Sequence, residues 1–166
     1  MSKIESGRET NATSLHQLMF LLQHLSDELL SRETEVGLSQ VRILAVLHSS
    51  KPRSQRLVAA RLGQTESNVS RQVHIMKKQG LVSVTKNRKD GRQKDITVTA
   101  KGKRVNQKAE RLLAAQHKEL LKMLSSAEAK SFNKAVNHLL SALSVETKRS
   151  QKIFGSDWLA SKKHQT

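Results

Sequence analysis

The feature that most constrains this 166-residue sequence is a spacing of small and apolar residues in its middle third. Ala59 is followed four positions on by Gly63, and six further by Val69. Two helices cross closely only where the contact residue is small and the chain between them can turn within a few residues. Ala59 meets the first condition and Gly63 the second. Val69 plugs the second helix into the first, and Val58 and Leu62 fill the rest of the contact. Ser54 is placed to cap the first helix, Gln55 to Leu62, and Gly63 to end it in a left-handed conformation. Thr65 is placed to cap the second helix, Glu66 to Gln79, which Gly80 ends.

The second helix has two unlike faces. Val69, Val73 and Met76 lie at i, i+4 and i+7, which makes one face core. About 180° away are Ser67, Arg71, His74 and Lys78, flanked by Asn68 and Ser70. Ile75 fits neither face. Leu81 to Lys86 is rich in β-branched residues, and Asp95 to Thr99 alternates. Between them the polar run Asn87 to Lys94 carries Asp-Gly as a turn signal. This spacing predicts a β-hairpin with a long basic tip.

Two short helices on a glycine turn followed by such a hairpin make a winged helix-turn-helix. A helix that enters the major groove must be polar and positive outward, and this one is. Arg71 has the fork geometry for guanine. Asn68 suits adenine or a phosphate. Ser54, Gln55, Thr65, Ser67 and Ser70 suit phosphates or base edges, with His74 and Lys78 beside them. The wing offers Arg88, Lys89, Arg92 and Lys94 to the phosphate backbone or to a narrow minor groove. A plain solvated face would mix Glu with Lys. From Gln55 to Lys89 the only acid is Glu66, in the first turn of its helix, where the dipole favours it.

Charge follows the same segment. Residues 51–104 hold 15 basic and 3 acidic side chains, net +12 of the chain's +16, while residues 1–50 are net −2. Concentrated charge of this kind points to a polyanionic partner. With no cysteine there is no disulfide, thiolate metal site or thiol sensor. The seven histidines show no metal-ligand spacing, and His24 with Glu28 reads as a helix surface pair. No phosphate loop, nucleophile elbow or paired-carboxylate site occurs. Neither an enzyme, a cofactor nor a metal is therefore expected. No apolar run reaches the ~18 residues of a membrane span, and the first 14 residues lack a signal-peptide core, so a cytoplasmic location is expected.

The flanks are expected to be helical. Residues 1–13 read as a frayed lead. From Ser14 to about Arg32, Leu15, Leu18, Met19, Leu22, Leu25 and Leu29 recur at helical spacing, and Phe20, Leu21 and Leu30 widen the stripe. That width suits a helix buried on several sides, as in a dimer. Gly37 is expected to break it. A helix follows from about Ser39 to His48, and residues 49–53 read as a loop. Thr99 is placed to cap a helix running to about Leu124. Ser125 to Glu128 forms a capping box for another, to about Leu143. In the basic tail 146–166, Ile153, Phe154, Trp158 and Leu159 can dock or stay free.

Over roughly residues 36–104 the sequence resembles the MarR family of bacterial transcription regulators. The matching runs are Gln40 to Leu44, LVAARLG, TESNVSRQVHIMKKQGLV, Asp90-Gly91-Arg92, and Ile96 to Gly102. The acid usual early in the third helix is Leu57 here, so no capping box is expected there. The resemblance implies a mainly α fold with a small β-hairpin wing. It divides the chain into an N-terminal dimerisation helix (1–36), a winged helix-turn-helix lobe (37–99), C-terminal dimerisation helices (100–145) and the tail. It implies a homodimer on a pseudo-palindromic double-stranded operator, usually a repressor, often released by a small effector whose binding residues the sequence does not name. In the family's wing motif Asp90 would brace the wing and Arg92 meet DNA. The alternative is an architectural nucleic-acid binder without sequence preference. Its weakness is a 2% aromatic content, which leaves few rings for stacking on bases.

Overall fold

A computed structural model describes residues 3–48, 51–87 and 93–150. Among these the chain forms six helices and a three-stranded antiparallel sheet: α1 Lys3–Thr34, α2 Leu38–Val46, β1 Arg53–Ser54, α3 Gln55–Leu62, α4 Glu66–Lys78, β2 Val82–Lys86, β3 Lys94–Val98, α5 Ala100–Leu121 and α6 Ser126–Ser150. The sheet order is β1-β3-β2. Register pairs Val82 with Val98 and Lys86 with Lys94, and sets Arg53 opposite Ile96. The mainly helical winged fold expected from the sequence is the fold observed.

One core holds the lobe together. Val58, Ala59, Val69, Val73 and Met76 of α3 and α4 are buried with Ile43, Leu44 and Leu47 of α2, Leu81 and Ile96 of the hairpin, Leu30 of α1 and Ala109 of α5. Each fully buried aliphatic side chain of this kind contributes about 1.5–3 kcal/mol. The caps fall where the side chains allow them. Ser54 Oγ accepts from Leu57 N (3.2 Å), Thr65 Oγ1 from Asn68 N (3.3 Å) and Thr99 Oγ1 from Gly102 N (3.0 Å). Each satisfies a donor that the first helical turn leaves free. Gly63 sits at φ 61°, in the left-handed region where a Cβ is costly.

Several boundaries differ from expectation. α1 begins at Lys3, so residues 3–13 are helix and not a frayed lead. They carry no apolar stripe, and periodicity reports burial rather than helicity. α1 ends at Thr34, with Glu35 left-handed at φ 59°, before Gly37 is reached. Gly37 instead opens α2, its N–H donating to Gln40 Oε1 (3.2 Å). Residues 53 and 54, the first of them placed in a loop by sequence, form β1; a two-residue strand is too short to alternate. α5 stops at Leu121, and α6 runs seven residues past Leu143 into the segment read as tail. The capping box is present: Ser125 N donates to Glu128 Oε2 (2.8 Å) and Glu128 N to Ser125 Oγ (3.4 Å). The apolar quartet from Ile153 to Leu159 lies outside the described residues.

The lobe is tied to the long helices at the C-terminal end of α4. Thr99 Oγ1 donates to Gly80 O (2.7 Å), and Lys101 Nζ to Gln79 O (2.9 Å). Gln40 Nε2 donates to Gln79 Oε1 (3.4 Å), and Gln79 Nε2 to Glu35 O (3.5 Å). Gly102 lets α5 lie against this corner, because a Cβ there would stand 2.1 Å from Leu81 O. Higher up, Ser26 Oγ donates to Gln116 Oε1 (2.8 Å), joining α1 to α5.

Candidate nucleic-acid interface

α4 is anchored by its apolar face and offers the other. Val69, Val73 and Met76 are buried, whereas Ser67, Arg71, His74, Lys77 and Lys78 are exposed and Ser70 is half-buried. The N-terminal end of α4 is fixed from α3: Gln55 Nε2 donates to Glu66 O (3.1 Å). Asn68 is half-buried and engaged on both sides. Its Nδ2 donates to Gln64 Oε1 (3.4 Å), and its Oδ1 accepts from Arg71 Nη2 (3.2 Å). Asn68 thus holds the Arg71 guanidinium over the outward face.

The wing continues this surface. A cleft of about 260 Å³ lies between α4 and the hairpin, lined by Ser70, His74, Lys77, Lys86 and Lys94 among others. An open groove of about 650 Å³ runs along α4 past Ser67, Arg71, His74 and Ile75. Gln55 lines both. At the base of the wing Asn87 Nδ2 donates to both carboxylate oxygens of Asp95 (3.0 Å each), and Asn87 N to Gln93 O (2.9 Å). Among the described residues Arg71, Lys77, Lys78, Lys86 and Lys94 are paired with no carboxylate. Lys86 and Lys94 even face each other across the strands, an arrangement that costs stability in the free protein.

The structure therefore brings together Gln55, Ser67, Ser70, Arg71, His74 and Lys94 from the sequence-based set. Lys78 is exposed at the end of α4. Ser54 and Thr65 are occupied as cap acceptors, which leaves their hydroxyl protons to donate. Arg88, Lys89, Asp90 and Arg92 lie outside the described residues. Lys77 and Lys86 went unnoticed in the sequence. Lys86 was legible there, since the hairpin register sets it opposite Lys94; Lys77 is placed only by the cleft. Asp95 was read as strand alone, yet it stitches the wing's base. No group of three or more His, Cys, Asp or Glu side chains among the described residues is placed to hold a metal. No described helix is long and apolar enough to cross a membrane.

Comparison with known proteins places this surface in context. The MarR family model matches residues 35–93. No curated protein sequence matches the chain. Solved structures do. The transcriptional regulator BldR from Sulfolobus solfataricus superposes with a TM-score of 0.68 at 22% identity, covering 86% of this chain and 99% of that one. The complex of Staphylococcus aureus MepR with DNA gives 0.65 at 18% identity over 80% and 97%. The PcaV regulator from Streptomyces coelicolor with its natural ligand gives 0.60 at 22% over 86% and 98%. At these identities the likeness is one of fold.

Proposed function

We propose that this chain, whose residues 35–93 match the MarR family, is a transcription regulator that binds double-stranded DNA as a homodimer and represses at a pseudo-palindromic operator. The observation that carries the reading is a row of cations, Arg71, Lys77, Lys78, Lys86 and Lys94, paired with no carboxylate among the described residues, on one polar helix and the wing beside it. α4 is the reading helix. Ser67, Asn68, Arg71 and His74 face base edges, while Ser54, Gln55, Thr65, Ser70, Lys78 and Lys94 hold phosphates. Arg88, Lys89 and Arg92 extend the wing's reach, with Asp90 bracing its tip. The DNA complex of MepR supports this docking of the shared fold.

Dimerisation through residues 1–36 and 100–145 is supported by surface that a lone chain leaves in water. Leu15, Met19, Phe20 and Leu21 on α1 and Phe132, Leu139, Leu140 and Leu143 on α6 are all exposed, Phe20 at 70%. Patches this rich in large apolar side chains mark association sites. A monomer at micromolar concentration in the ultracentrifuge would sink the dimer. PcaV has been solved with its natural ligand, which supports release of this chain by a small effector. The role is regulatory and not catalytic.

The deciding experiment is selection of bound sequences from random duplex DNA with the full chain. An enriched inverted repeat supports the regulator. Tight binding with no enrichment favours an architectural nucleic-acid binder instead.

A further inference from the structure

Among the described residues, every large apolar side chain left exposed lies on α1, in the turn between α5 and α6 or on α6, with one exception. That exception is Ile75, 40% exposed on α4. It belongs neither to the core face of Val69, Val73 and Met76 nor to the apolar surface of the long helices. Ser67, Arg71 and Ile75 stand at i, i+4 and i+8, each step turning by about 40°. Ile75 therefore continues the Ser67–Arg71 row one turn further, at the edge of the outward face. It lines the same open groove as Arg71 and His74. A β-branched residue at an exposed helix position is a poor helix former and gains nothing from packing there.

The partner's chemistry accounts for it. Base edges in the major groove offer hydrogen-bond donors and acceptors to Arg, Ser and His, and one apolar group, the 5-methyl of thymine. We infer that Ile75 is a specificity-determining residue that reads a thymine methyl, beside the base pair contacted by Arg71. This rests on the proposal that α4 enters the major groove sequence-specifically.

The test starts from the site enriched by selection with the full chain. Each enriched thymine is replaced singly by deoxyuridine, which removes the methyl and leaves the hydrogen-bonding edge unchanged. The wild-type protein is expected to lose about fourfold in affinity at one thymine per half-site, the worth of one buried methyl group. Ile75→Ala is expected to bind the thymine and uracil sites equally, and Ile75→Val to keep part of the difference. Both variants should melt close to wild type, because Ile75 fills no core. The inference fails if no uracil replacement matters to the wild type. It fails equally if Ile75→Ala retains the full thymine preference, or if it loses affinity to the same extent on both DNAs, the mark of a sugar contact. In all three cases an enriched repeat still upholds the regulator reading. If selection enriches no sequence at all, that reading falls and takes the role of Ile75 with it.

Discussion

Arg71 carries the reading proposed for α4, and its geometry makes a residue-scale prediction. Asn68 Oδ1 holds its guanidinium, which reduces the freedom lost on meeting a base. Arg71→Ala should lower discrimination between the selected site and random DNA by about 1–3 kcal/mol, measured by competition titration. Equal loss on both DNAs would make Arg71 a phosphate contact. Asn68→Ala should lower discrimination by less, since it frees the guanidinium without removing it. Two other residues act on stability alone. Glu35 holds a left-handed backbone at φ 59°, a cost of about 1 kcal/mol that Gly escapes. Glu35→Gly should therefore raise the melting temperature. Gly102→Ala should do the reverse, because its Cβ would stand 2.1 Å from the backbone oxygen of Leu81 and force α5 away from the lobe. The expected loss is about 3 kcal/mol or more by denaturant titration.

At the scale of elements, the wing and the start of α6 behave differently. The hairpin sets Lys86 opposite Lys94, so the free protein keeps a like-charge pair that sheet pairing disfavours. Lys86→Glu should raise stability by roughly 0.2–1 kcal/mol while weakening DNA binding. Replacing both lysines by Gln should flatten the slope of log affinity against log salt by about 2 per lobe if both contact phosphates. An unchanged slope would place the wing away from the DNA. At α6 the capping box holds the Glu128 carboxyl below the ordinary carboxylate range, first through the Ser125 hydroxyl and then through its backbone N–H. A folded-state value below the unfolded one stabilises above the ordinary range and is lost as pH falls through the folded value. Helical circular dichroism of the chain should therefore decline slightly in acid, and less so in Ser125→Ala.

On the scale of the whole molecule, α4 meets the long helices through the shared core and through a hydrogen-bonded corner at its C-terminal end. Gln79 ends α4 and touches Glu35, Gln40 and Lys101, while Thr99 bonds the two residues that follow it. Segments of α1, α2 and α5 thus all bond to the chain where α4 ends and the hairpin begins. The apolar faces of α1 and α6 make the complementary prediction. Phe132→Asp with Leu139→Asp should yield monomers by ultracentrifugation and reduce operator affinity by orders of magnitude. The unfolding of the lobe, which neither residue enters, should change little. A dimer that survives both changes would move the interface elsewhere.

How much of this was legible in the sequence depended on where the cause lay. Ala59, Gly63 and Val69 determined the helix crossing, and Ser54, Thr65, Thr99 and Ser125 determined where helices start, because steric allowance and capping act between residues close along the chain. The positive outward face of α4 followed from helical period alone. The tertiary structure decided what depends on distant neighbours. It set β1 against β3 and joined Lys77 to Lys86 and Lys94 in one cleft. It showed Asn68 bonded to Gln64 and Arg71 as well as lying beside the outward face, and made Gln79, a helix end in the sequence, the link to α1, α2 and α5. It also set Ile75 in the same groove as Arg71 and His74. Local sterics and hydrogen bonds are written in consecutive residues, whereas these contacts exist only once packing has brought separate segments to the same place.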